Sequence, residues 1–207
     1  MRQLPSPPPT SKVTPQYHYV NRDSELFRIY DPSPPYNVGP TTFRYYGPRL
    51  RFDHQPRVKG KPAGHATRGI WYGAFTPAAC IVEVFGDDRE IRLLPYQAAT
   101  IRVLRTLKLL DLDGGAMTNG TYAALANTHS RRLTQAWSKY FYDTGSTYGQ
   151  VDGLYYRSAH NSGLCVALYE RSVNAVASVV TMPLGDPSLA YEVADAQSRY
   201  GMTLFTK

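Results

Sequence analysis

A short aromatic run leading almost at once into a capped helix constrains this chain more than any other feature. Ile70-Trp71-Tyr72-Gly73 reads as a buried strand. Thr76 offers a side-chain oxygen to the free amides of a following helix. Pro77 fits that helix's first turn, where an N–H has no intrahelical partner. Ala78, Ala79 and Val82 supply a close-packing face, Glu83 lies one turn beyond Ala79, and Gly86-Asp87-Asp88 ends the element. Upstream, Arg51-Phe52-Asp53-His54 leads into the block through a loop of Gly, Pro and Lys. The block thus carries a cation, an aromatic ring and a carboxylate to the edges of regular elements. That set suits a pocket for an anionic, partly aromatic ligand better than a plain core.

Elsewhere the pattern is of short elements. Leu26-Phe27-Arg28-Ile29-Tyr30 alternates as a strand and stops at Asp31-Pro32-Ser33-Pro34-Pro35. An aromatic segment from Thr42 to Tyr46 ends at Gly47-Pro48, and Arg49-Leu50-Arg51-Phe52 alternates as a further strand. Residues 55–68 show no periodicity and read as a loop. Runs 90–94, 100–104 and 107–112 read as strands, and the spacing of Leu133, Trp137, Tyr140 and Phe141 predicts a helix over 131–142. Asp152-Gly153 turns the chain into a segment from Leu154 to Ser158. A polar loop over 159–163 then precedes a core strand from Leu164 to Tyr169. The C-terminal segment gives no decisive pattern, and there is no internal repeat. The expectation is a mixed α+β fold, with a flexible proline-rich arm over 1–20 and a single domain over 21–207.

At 207 residues the chain suffices for one substantial core, and 43% hydrophobic against 19% charged residues favours folding over disorder. Its formal charge of +7 and sequence pI near 9.4 favour anionic partners, yet no dense Lys/Arg run marks a nucleic-acid tail. Cys80 and Cys165 sit in apolar runs as small buried hydrophobes, which points to a reducing compartment. No signal-peptide pattern and no membrane-length apolar run is present, so the expected location is cytoplasmic, away from membranes.

Metal motifs HExxH and CxxC, the phosphate-binding GxxxxGK[ST] and the hydrolase elbow GxSxG are all missing, and the five histidines are dispersed. No catalytic metal is expected. Arg28 and Arg51 each interrupt a hydrophobic strand, either as exposed edge charges or as guanidinium forks for a pyrophosphate. Tyr72 is either core filler or, in a pocket, a ring that stacks on a nicotinamide or a hydroxyl that holds a ribose. Glu83 lies in the apolar run Ala78-Ala79-Cys80-Ile81-Val82-Glu83-Val84-Phe85, where a buried carboxylate is costly unless paired. It either faces water or stabilises positive charge at an anomeric carbon. Ser158 is either a turn residue or a group that positions a sugar.

Taken in order, these segments resemble the RES-domain family, named for its Arg, Glu and Ser and best known from toxins of toxin–antitoxin pairs. The family's first arginine element is similar to Phe27-Arg28-Ile29-Tyr30 and its second to Arg51-Phe52-Asp53-His54. Its tyrosine segment and acidic helix are similar to Trp71-Tyr72-Gly73-Ala74 and Ala78–Glu83. Its downstream DGxxYxS-like segment is similar to Asp152-Gly153-Leu154-Tyr155-Tyr156-Arg157-Ser158. The glycine-rich approach to the second arginine is reduced here to Gly47-Pro48-Arg49-Leu50, and the 55–68 loop is longer than in compact members. The resemblance implies an ADP-ribosyltransferase-like fold, a split central β-sheet around an NAD cleft. NAD would be a substrate degraded by hydrolysis or phosphorolysis, with ADP-ribose transfer to a protein acceptor as an alternative. Another reading is a non-catalytic nucleotide binder. Carried over, Glu83, Arg51 and Tyr72 form the catalytic set, while Arg28, Arg51, Tyr72 and Ser158 bind the dinucleotide. An antitoxin or immunity protein is the implied partner, and the oligomeric state stays open.

Overall fold

In the computed structural model, which describes residues 4–206, eight strands join in one sheet. Its spatial order is β1 (Tyr17–Val20), β8 (Leu107–Asp111), β9 (Gly153–Arg157), β10 (Leu164–Tyr169), β5 (Ile70–Ala74), β2 (Glu25–Tyr30), β7 (Gln97–Val103) and β11 (Val176–Pro183). Only β8 and β9 run parallel; the other neighbours are antiparallel. Two small pairs stand apart, β3 (Tyr46–Gly47) with β4 (Ala63–Gly64) and β6 (Glu90–Arg92) with β12 (Thr203–Phe205).

The sheet is curled. Strand residues alternate between two cores, as the two-residue period requires. One core unites Val20, Leu107 and Leu109 near one end of the strand order with Ile101, Val103 and Val176 near the other. Strands so far apart in a flat sheet share a core only if the sheet bends toward itself. The other face carries α1 (Pro77–Phe85), α2 (Arg131–Asp143), α3 (Gly145–Tyr148) and α4 (Ala190–Tyr200) over a second core that includes Ile81, Phe85, Trp137, Phe141 and Tyr156. The mixed α+β expectation therefore holds.

One seam in the sheet is incomplete. Strands β2 and β5 pair through a single register, Phe27 opposite Ala74. Beyond it they diverge, and Arg44 takes up the backbone hydrogen bonds of Ile70 instead. Gly73 stands at this divergence. A Cβ there would lie 2.4 Å from the Trp71 ring and 2.9 Å from the Phe27 carbonyl, so the close approach requires glycine.

Several sequence readings are met closely. The Thr76 hydroxyl accepts from the Ala79 amide, Pro77 opens α1, and Gly86 ends it. The helix read over 131–142 spans Arg131–Asp143, capped by Ser130. Two readings change. The arm expected over 1–20 is shorter, because Tyr17–Val20 forms β1 and pairs with β8. Before β1 the chain is also tied down: Trp137 Nε1 donates to the Pro5 carbonyl and Thr14 N to that of Thr118. The strand read over Arg49–Phe52 is a turn, because the Asp53 carboxylate accepts the Arg49 and Leu50 amides and winds the backbone around itself. The undecided C-terminal segment forms β11, α4 and β12.

Candidate active site

The divergence of β2 from β5 opens a cavity of about 820 Å³. Its walls come from β2 (Arg28, Ile29, Tyr30), β5 (Ile70, Tyr72, Gly73, Ala74), α1 (Cys80, Glu83, Val84) and the 42–50 segment, together with Tyr156 of β9. The size lies within the range of small-molecule and cofactor sites.

Arg28 brings a cation without a matching anion. Its Nη1 donates to the carbonyls of Thr42 (2.8 Å) and Pro40 (3.2 Å), and its guanidinium lies 5.3 Å from the centre of the Trp71 ring. It makes no ion pair among the described residues. Burial lowers its pKa to about 10, which still leaves it charged at neutral pH. A desolvated, unpaired guanidinium on a cavity wall is a ready anion site.

Glu83 brings the reverse case. The Tyr156 hydroxyl donates to its Oε1 at 3.4 Å, while Oε2 is buried with no partner. An unsatisfied buried acceptor costs about 1–3 kcal/mol, and such exceptions call for an explanation. Burial pushes the Tyr156 hydroxyl well above its usual pKa, the Glu83 carboxylate adds to the rise, and Arg51 opposes it. Tyr156 therefore stays a proton donor. The Cys80 thiol feels both Arg28 and Glu83, but burial dominates and pushes it up to about 12, so it is no nucleophile at neutral pH.

Tyr72 lines the cavity with its ring while its hydroxyl is committed elsewhere. It donates to Asp53 Oδ1 at 2.8 Å and accepts from the Phe52 amide at 3.1 Å. Burial, reinforced by the Asp53 charge, holds its pKa well above the ordinary phenol value. Of its two sequence-level roles, the ring face is the one open to a ligand.

Arg28, Tyr72 and Glu83 thus share one cavity, whereas Arg51 and Ser158 stand outside its wall. Arg51 Nη1 donates to the Thr128 carbonyl, and its own carbonyl accepts from the Thr134 hydroxyl. Its turn faces α2, and its charge opposes the upward shift of the Tyr156 hydroxyl. Ser158 is 1% exposed. Its amide donates to the Gly163 carbonyl and its hydroxyl accepts the His160 amide. The loop it closes abuts α1: a Cβ on Gly163 would meet Ala79 at 2.6 Å, and one on Gly86 would meet the His160 ring at 2.5 Å. Ser158 shapes the bed on which the Glu83 helix rests.

Two cavity cations escaped the sequence reading, Arg44 and Arg49. Arg44 Nη2 bridges both oxygens of the fully buried Asp53 at 2.7 and 2.8 Å. A lone arginine inside an aromatic segment was the only available signal. Arg49 sits two residues before the arginine read as the second cation and lines the cavity instead. Among the described residues no group of three or more His, Cys, Asp or Glu side chains is placed to hold a metal ion. No helix among them is long and apolar enough to cross a membrane.

A family model described as the RES domain matches residues 25–193. The chain belongs to the RES-domain family. The matched span contains every residue from Arg28 to Ser158 discussed above, and membership links the protein to enzymatic activity on NAD. No curated protein and no solved structure matches the chain. Within this RES domain, the open β2–β5 seam is where an unpaired cation and an incompletely satisfied carboxylate come together.

Proposed function

We propose that this RES domain binds NAD in the β2–β5 cavity and breaks its nicotinamide–ribose bond. The carrying observation is that Arg28, desolvated and unpaired, and Glu83, with one unpartnered oxygen, line the same cavity. Arg28, with Arg44 and Arg49, offers positive charge for a pyrophosphate. The Tyr72 ring offers a stacking face for the nicotinamide. Glu83 then faces the ribose, where positive charge grows as the bond to the cationic ring breaks. The bonding electron pair leaves with the ring nitrogen, so nicotinamide departs neutral and needs no strong general acid. Tyr156, held as a donor, orients the carboxylate.

The acceptor at the ribose carbon sets the product. Water gives ADP-ribose and a proton, phosphate gives the 1-phosphate, and a protein side chain gives an ADP-ribosylated protein. Hydrolysis or phosphorolysis fits best, because Glu83 in a walled cavity suits a small acceptor. The two free, buried cysteines accord with a cytoplasmic site of action. A basic protein of this family suits an acidic antitoxin seated over the cavity mouth.

The test is nicotinamide release from NAD, with and without phosphate. The unaltered chain should release it. Glu83→Gln should slow release by about 100-fold or more, the scale on which removing one transition-state-stabilising group acts, while melting with little change. Release by Glu83→Gln at the unaltered rate would remove Glu83 from the chemistry. Retention of NAD with no product would make the cavity a binding site only.

A further inference from the structure

Several cavity-facing groups trace back to one carboxylate that does not itself reach the cavity. Asp53 is 0% exposed and stands behind the wall. Its Oδ1 accepts the Tyr72 hydroxyl at 2.8 Å, and both its oxygens accept Arg44 Nη2. Oδ2 also takes the backbone amides of Arg49 and Leu50. Arg44, Arg49, Leu50 and Tyr72 all line the cavity. A carboxylate has about four acceptor sites, and a buried ionised one must fill them. Here that demand fixes the Arg44 rotamer, the Arg49–Leu50 turn and the Tyr72 ring at once. Arg44 also gives its Nη1 to the Tyr46 carbonyl, which holds the guanidinium plane from a second side.

We infer that Asp53 is the positioning residue of this wall, setting where the Arg44 guanidinium and the Tyr72 ring meet the dinucleotide. The inference rests on the NAD reading of the cavity and deepens it. Asp53 touches no substrate; it acts through Arg44, Arg49 and Tyr72. Two groups of one ligand site, a cation and an aromatic face, are thereby coupled through a single buried charge.

Calorimetric binding of ADP-ribose and of inorganic pyrophosphate to the full chain tests this without consuming ligand. The comparison covers the unaltered protein, Asp53→Asn, Arg44→Ala, the double variant and Arg44→Lys, with melting curves alongside. Asn keeps the size of Asp53 but loses its charge and one acceptor oxygen. Asp53→Asn should weaken ADP-ribose binding about tenfold or more, and the double variant should lose clearly less than the two single losses combined, since both changes dismantle one arrangement. Arg44→Lys keeps the charge but not the planar guanidinium, and should lose about fivefold or more. A lowered Tm with unchanged ADP-ribose affinity in Asp53→Asn would reduce Asp53 to a fold residue and overturn the inference. If Asp53→Asn does not fold, Arg44→Lys decides, and full affinity there overturns it equally. An unaltered chain that binds neither ligand refutes the NAD reading and this inference together. Binding that ignores Asp53→Asn refutes this inference alone.

Discussion

The two edges of strand β5 make opposite use of the same five residues. Toward β10 every position is paired, from Ile70 opposite Tyr169 to Ala74 opposite Cys165, and the partner strand is buried throughout apart from its first residue. Toward β2 only Ala74 is paired. The closed edge excludes water and polar side chains and anchors the fold. The open edge leaves a walled gap into which Arg28, Tyr72 and Glu83 project. A site of this kind needs both: a rigid edge to hold the strand in place, and a missing stretch of ladder to make room for a ligand.

Substitutions on the two edges should therefore separate stability from binding. The largest effect is expected at the closed edge. Leu168→Ala removes a fully buried side chain opposite Trp71 and should cost about 2–5 kcal/mol in denaturant unfolding. The fraction still folded should bind ADP-ribose as before; weakened affinity there would mean the two edges are not separable. On the open edge the pattern should reverse. Arg28→Ala loses a charge-assisted contact of about 1.5–3 kcal/mol with the ligand, roughly ten- to a hundredfold in affinity. Its cost in stability should be smaller than that of Leu168→Ala, because what the fold loses is its bonds to the Thr42 and Pro40 carbonyls. Full affinity in that variant would detach Arg28 from the anion site.

At the junction itself, Gly73→Ala pushes a methyl group toward the Trp71 ring and the Phe27 carbonyl. An overpacking cost of about 1–3 kcal/mol is expected, together with weaker ligand binding, because the same residue lines the cavity. A neutral outcome in melting and binding would show that the seam is pliable. The smallest effect concerns His54, buried beside the turn that carries Asp53. Burial lowers its pKa below the ordinary 6.5, outweighing its 3.2 Å contact with Glu170. The unfolded chain therefore takes up the proton first as pH falls through 6.5, and stability declines from there until the folded histidine also titrates. Thermal melts between pH 7.5 and 5 should show this slope, reduced in His54→Phe; an identical slope in both would exclude His54 as its source.

How much was legible depended on how local each signal was. The Thr76-Pro77 cap, the 3.6-residue spacing of Leu133, Trp137, Tyr140 and Phe141, and the alternation about Arg28 are short-range patterns, and each became the element it indicated. Glu83 was conspicuous because a carboxylate in an apolar run has to be accounted for. Arg49–Phe52 misled because four alternating residues carry too little information to outweigh an aspartate that captures two nearby amides. Arg44 was invisible for a related reason: its partner lies nine residues on, and no periodicity encodes an ion pair across a turn. The position of Ser158 behind α1 depends on loop packing between segments about 80 residues apart, which a linear reading does not reach.

The places of β1 at the sheet's edge and of α4 over its helical face have a practical corollary. A chain trimmed to the matched residues 25–193 would strip β1 from β8, leaving a row of unpaired backbone amides and carbonyls along a new rim. It would also sever α4 after Val193, removing Ala196 and Met202 from beneath the sheet and β12 from beside β6. Such a fragment should clump rather than stay monodisperse, so recombinant work on this protein is best begun with both termini intact.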